Sequence, residues 1–164
     1  MIESFSVRVD GVRFAAAHFA TFGGTCEPLH GHSYEVAARI NGSLTDESWV
    51  IDFTEVKSLL RTICRELDHR FLLQCESRQL AIEDEGQAWR VHTPAGSTYV
   101  LPKTDVAALP IDNSTAERLA QWLSGRLWQA LAGRGGTDLS AIEVEVWEGP
   151  GQSAAHRRAS LPVE

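Results

Sequence analysis

The sequence predicts an α+β fold built on an antiparallel sheet. Three observations predict it. Apolar residues alternate along the first 22 residues and again from Tyr34 to Ile40. Two later stretches repeat their apolar residues at helical spacing, and turn dipeptides separate the alternating runs.

The first run places Phe5, Val7 and Val9 on one parity, then Phe14, Ala16, His18, Ala20 and Phe22, with Asp10-Gly11 between. Asp-Gly between two alternating runs predicts a hairpin. Tyr34, Val36, Ala38 and Ile40 predict a third strand that stops at Asn41-Gly42. Val56, Leu59, Leu60, Ile63 and Leu67 mark a helix, with Asp52 and Glu55 as a capping pair at its start. A second helix begins at Ser114-Thr115-Ala116-Glu117, a capping-box pattern. It buries Leu119, Trp122, Leu123, Leu127 and Leu131, and ends at Gly133 and Gly135-Gly136. Ile142, Val144 and Val146 predict another strand, and a short last one falls near Ala159 to Val163. The predicted order is β-β-β-α-α-β-β.

Residues 78–111 carry no helical pattern. Trp89-Arg90-Val91-His92 and Thr98-Tyr99-Val100-Leu101 flank a Pro/Gly turn, so the segment reads as a hairpin inserted between the two helices. The whole, residues 1–164, is expected to be a single domain carrying that insert, since 164 residues suit one core plus an excursion.

Composition narrows the function classes. The chain is 43% hydrophobic and 23% charged, as globular proteins are. No apolar run approaches the ~20 residues of a membrane helix, and the charged, alternating start is not a signal peptide. Three cysteines without a paired pattern speak against a disulfide framework and for a reducing, cytoplasmic setting. A net charge of −7 argues against a nucleic-acid surface but leaves room for a small anionic substrate in a locally positive pocket.

The chemistry concentrates in C-E-P-L-H-G-H, residues 26–32. His30 and His32 are two apart and share a face on extended chain, the face of Tyr34, Val36 and Ala38. His18 has the parity of Phe14 and Ala16. Three imidazoles can therefore meet on the inward face of one sheet. Three histidines with an open fourth position suit a catalytic zinc, whereas a single histidine on an apolar face is commonly a core residue. Cys26 is either a fourth ligand or a reactive thiol beside the metal. Asp68-His69, at the close of the first helix, is either an acid/base pair or a helix C-terminus favouring histidine. Glu148 shares the parity of Val144 and Val146, so its carboxylate points inward, where a heterocycle with two N–H donors would pair with it; the alternative is that the following Gly-Pro-Gly turn leaves it in water. Glu117 reads first as the second half of the capping box.

The pieces F-A-A-A-H (14–18), C-E-P-L-H-G-H-S-Y (26–34), V-I-D-F-T-E-V-K (50–57), L-D-H-R-F-L (67–72), S-T-A-E (114–117) and V-W-E (146–148) occur in that order. Together they resemble the 6-pyruvoyl-tetrahydropterin synthase and 6-carboxy-tetrahydropterin synthase family, over most of the chain except 78–111. The resemblance implies a tunnelling fold: a four-stranded antiparallel sheet with two helices on one side, three such sheets forming a β-barrel and two trimers stacking into a homohexamer. It implies zinc on His18, His30 and His32, Cys26 as catalytic thiol, Asp68 and His69 in proton transfer, and Glu148 and Glu117 as substrate-binding residues, Glu148 gripping the pterin ring. The implied substrate is 7,8-dihydroneopterin triphosphate.

Cys26 lies close before H-G-H, the spacing associated with the 6-carboxy branch. The implied products are then 6-carboxy-5,6,7,8-tetrahydropterin, acetaldehyde and triphosphate, a step toward queuosine and other 7-deazapurines. The alternatives are the pyruvoyl reaction or another reduced pterin, and a non-catalytic pterin- or purine-binding protein with structural zinc. Ser114, Arg118 and Leu73 depart from the family pattern, which usually has proline, asparagine and asparagine there.

Overall fold

The computed structural model describes residues 4–132 and 139–159. The elements are β1 (Phe5–His18), β2 (Thr21–Phe22), β3 (Thr25–Cys26), β4 (His30–Gly42), α1 (Phe53–Cys64), β5 (Arg70–Gln74), β6 (Ala81–Asp84) and β7 (Ala88–His92). There follow β8 (Thr98–Pro102), β9 (Val106–Leu109), α2 (Ala116–Ala132), β10 (Leu139–Gly149) and β11 (Gln152–Ala159). The α+β class holds. Among the described residues the main sheet has six strands, ordered β11-β10-β4-β1-β5-β9, where four antiparallel strands were expected. The two extra strands are β5, parallel to β1, and β9, parallel to β5.

Asp10-Gly11 does not turn the chain. β1 continues through it, and its register against β4 slips between Val9 and Val12. Gly11 supplies the positive φ of 74° that such a bulge needs. β4 offers thirteen residues of ladder, so continuing the pairing satisfies more backbone groups than reversing would.

Asp52 caps α1 as expected, its carboxylate accepting the Thr54 N–H at 2.7 Å. At α2 the cap is one residue later than the capping-box reading. The Thr115 carbonyl accepts the Leu119 N–H at 3.0 Å, and its hydroxyl faces the Arg118 N–H at 3.5 Å. Ser114 is buried and committed elsewhere. The expected stop at Gly133 and Gly135-Gly136 lies outside the described residues. The last strand covers 152–159, earlier than expected, and residues 160–163 also lie outside.

One apolar cluster joins the inward residues of β1, β4 and β10 to both helices, with Tyr34, Ile40, Leu60, Leu119, Leu123 and Ile142 almost fully buried. Both helices therefore pack on the same face. A second cluster is built around Phe19, Phe71, Leu73, Leu80, Val91 and Val106.

The insert forms that second core. It is more than the expected hairpin: β6, β7 and β8 make a three-stranded sheet, and β9 joins the main sheet beside β5. Phe71 and Leu73 on β5 pack with Val91 of the insert, which explains leucine at 73, since this position has no water to hydrate an asparagine. Among the described residues, no helix is long and apolar enough to cross a membrane.

Candidate active site

The β1–β4 register sets His18 against His30 and Ala16 against His32. The three rings lie with centroids 4.7, 5.1 and 4.8 Å apart, and one nitrogen from each falls within 4.8 Å of the others. Gly31 between them allows a close approach of the strands, because a Cβ there would sit 3.0 Å from the Ala16 carbonyl oxygen.

Hydrogen bonding decides which nitrogen two of these rings offer. The Nδ1 of His18 lies 2.9 Å from the Ser114 carbonyl oxygen, and that of His30 lies 2.7 Å from the Pro28 carbonyl oxygen. A carbonyl can only accept, so each Nδ1 carries the proton and donates it. Each Nε2 is left with a lone pair. His18 is 2% exposed, its Nε2 has no hydrogen-bond partner, and burial lowers its pKa to about 4, keeping the ring neutral. A buried, unpartnered lone pair beside two more imidazoles fits a divalent metal.

A cavity of about 560 Å³ opens over the three histidines, with Glu27, Glu117 and Glu148 among its walls. Glu148 is half-buried, and loss of water pushes its carboxyl pKa up. The wall opposite is the first turn of α2, whose positive end offsets part of this negative charge. Starting the helix at Thr115 leaves Glu117 free to line the cavity. The structure thus brings His18, His30, His32, Glu117 and Glu148 together.

The remaining expected residues, Cys26, Asp68 and His69, do not line this cavity. Cys26, at the end of β3, packs against the second apolar cluster, and burial raises its thiol pKa. Asp68 accepts the Ala15 N–H at 2.8 Å and lies 3.0 Å from His69 Nδ1. The Ala15 bond, then His69, holds the Asp68 carboxyl below its ordinary range. His69 adopts a left-handed backbone, φ 56°, with its N–H donated to the Ala15 carbonyl. Its side chain borders a separate open cleft of about 610 Å³, which meets the first cavity at His32.

Sequence reading missed Glu27. Its backbone N–H donates to the Ala20 carbonyl at 2.9 Å and its carboxylate accepts the Ala20 N–H at 3.2 Å, which aims Oε2 to within 4.0 Å of His30 Nε2. Alternation was the available signal: where Cys26 turns to the apolar cluster, its neighbour must turn the other way.

Residues 7–159 match the family model of 6-pyruvoyl tetrahydropterin synthase. A Methanocaldococcus jannaschii protein named putative 6-carboxy-5,6,7,8-tetrahydropterin synthase is 34% identical over 151 residues, covering 90% of this chain and 91% of its own. The crystal structure of Plasmodium vivax 6-pyruvoyl tetrahydropterin synthase superposes with a TM-score of 0.89 at 31% identity, over 96% of this chain and 99% of that one. A variant of the same Plasmodium enzyme, in which a glutamate described as a catalytic residue is replaced by alanine, superposes equally well at 30% identity, over 96% and 99% of the two chains. A Pyrococcus furiosus relative, 24% identical over 75% of this chain and 73% of its own, is a dihydroneopterin monophosphate aldolase.

Proposed function

The chain belongs to the 6-pyruvoyl tetrahydropterin synthase family, and on that premise we propose that it is a zinc-dependent lyase. Its substrates are 7,8-dihydroneopterin triphosphate and water, and its products are 6-carboxy-5,6,7,8-tetrahydropterin, acetaldehyde and triphosphate, an early step toward queuosine and related 7-deazapurines. The observation that carries this reading is the set of three convergent histidines, two of them fixed as Nε2 donors, facing the half-buried Glu148 across one cavity.

His18, His30 and His32 would hold the zinc. Bound there, it would supply Lewis acidity to the side-chain oxygens of the pterin. Glu148 accepts two N–H groups of the pterin ring, and its raised pKa fits a carboxylate waiting for donors. Glu117, in the first turn of α2, closes the opposite wall. Cys26 moves the proton at the side-chain carbon, and Asp68 with His69 form the acid/base pair. In this protomer His69 faces the adjoining cleft, which is consistent with its serving the site of a neighbouring copy. We propose the assembly to be a homohexamer of two stacked trimers whose sheets close a β-barrel, each chain one domain over residues 1–164, working in the cytoplasm.

A second reading is favoured by Glu27, which lines the cavity where Cys26 does not. A glutamate acting as base on a side-chain hydroxyl would cleave a carbon–carbon bond of a dihydroneopterin phosphate, the class of activity for which the Pyrococcus relative is named.

Mass spectrometry of the products from zinc-loaded protein and 7,8-dihydroneopterin triphosphate tests both. Carboxy-tetrahydropterin with acetaldehyde supports the first reading. A hydroxymethyl pterin supports the second, a pyruvoyl product the sister branch, and unchanged substrate overturns all of these.

A further inference from the structure

We propose that Gln74 and Ser114 are positioning residues for the metal centre, together holding the ring of His18 so that Nε2 is the nitrogen it offers. The inference rests on the metal-binding reading above.

Gln74 lies on β5 and is 1% exposed. A buried amide is costly unless it is hydrogen-bonded, so its partners matter. Its Oε1 accepts the Ser114 N–H at 2.8 Å, by far its shortest contact. Its Nε2 reaches Thr21 Oγ1 and Ser77 Oγ only at 3.5 and 3.4 Å. The strong bond therefore goes to the 114 peptide. Ser114 is held from its other side as well, donating its hydroxyl to the Phe19 carbonyl at 3.1 Å. Asn113 clamps Thr21 through its side-chain oxygen and nitrogen, both at 2.9 Å.

The held peptide presents two acceptors to one proton. His18 Nδ1 lies 2.9 Å from the Ser114 carbonyl oxygen and 3.2 Å from its hydroxyl oxygen. That hydroxyl has already given its hydrogen to Phe19, so it too accepts from Nδ1. Both contacts demand the Nδ1–H tautomer and fix the ring plane. A proline at 114 has neither the N–H that Gln74 holds nor the hydroxyl that faces His18. Serine here and glutamine at 74 act as a pair, and Gln74 sits on the strand that the insert's β9 completes.

The test compares wild type with Gln74→Met, which keeps shape and removes one of the two acceptors of the Ser114 N–H (the other is Asn113 Oδ1 at 3.0 Å), and with Ser114→Ala, which removes the hydroxyl facing Nδ1. Long-range ¹H–¹⁵N NMR on metal-free protein reads the His18 tautomer, and chelator competition with the Co²⁺ absorption spectrum reads the metal site. The expected result is a pure Nδ1–H tautomer in wild type, a mixture in the variants, and zinc affinity lowered ~10–100-fold. Should Gln74→Met fail to fold, Ser114→Ala decides alone. Variants that keep both the tautomer and the affinity overturn the role of Gln74 and Ser114. Wild-type protein that binds no zinc overturns the metal reading itself.

Discussion

His18 and His30 are direct partners across the β1–β4 ladder, with ring centroids 4.7 Å apart. The metal site is thus a property of strand register, and a slip by one residue would send both rings to opposite faces. Replacing either histidine by alanine is expected to abolish stoichiometric zinc binding while leaving the fold. The check is a melting series with and without zinc. Wild type should gain about 2.7 kcal/mol of stability at a free zinc concentration a hundred times its Kd, and the variants nothing.

Gly31→Ala asks whether the close approach of the two strands matters. The added methyl group meets backbone, the Ala16 carbonyl oxygen at 3.0 Å, and β1 must move to admit it. We expect a loss of about 1–3 kcal/mol by urea denaturation, as for other overpacked sites, together with weaker zinc binding.

Cys26 and Glu27 point to different surroundings, so their variants should separate the two proposed reactions. Cys26→Ala is expected to stop carboxy-tetrahydropterin formation by at least ~100-fold in kcat, with zinc and substrate still bound. Glu27→Gln should suppress formation of a hydroxymethyl pterin and spare that of carboxy-tetrahydropterin. If Cys26→Ala turns over as wild type does, the protein is not a thiol-dependent lyase, and the Glu27-dependent reaction becomes the better account.

Leu73→Asn tests the second core. Leu73 has no exposure and packs with Phe19, Phe71 and Val106. Introducing an amide there should cost about 2–4 kcal/mol by chemical denaturation. A loss under ~0.5 kcal/mol, the range of ordinary surface changes, would mean that the insert does not shield this position.

Asp68 supplies a pH dependence whose sign follows from its environment. Its folded pKa lies below the ordinary value because the Ala15 N–H, and then His69, stabilise the carboxylate. Its contribution to stability is therefore complete above the unfolded value of about 3.9 and fades as pH falls through the lower folded value. Asp68→Asn should flatten the acid limb of the Tm-versus-pH curve in that window and leave the curve above pH 6 parallel. The carboxylate is 39% exposed, so the effect should stay below about 1 kcal/mol.

The helices, the alternating strands and the three histidines were legible because each rests on local periodicity. Phe14, Ala16 and His18 share a parity whatever the chain does at Asp10-Gly11. The turn itself was not legible: a positive φ at Gly11 serves a bulge as well as a hairpin, and only the length of β4 decides between them. β5 and β9 were missed because Arg70–Gln74 and Val106–Leu109 are short and buried, and their pairing is parallel and non-local. The α2 cap was misread by one residue because Ser114 and Thr115 are equally able to cap, and only the distant His18 and Gln74 claim the serine.

β1 ends at His18, and the next residue, Phe19, opens the second hydrophobic cluster. The three histidines therefore stand at a seam, where the helix-backed core meets the core that the insert assembles. Any ion seated there reports how the two clusters are aligned across the sheet they share. Substitutions in the insert that never touch the cavity, such as at Val91 or Tyr99, should then be readable in the ligand field of a bound cobalt ion.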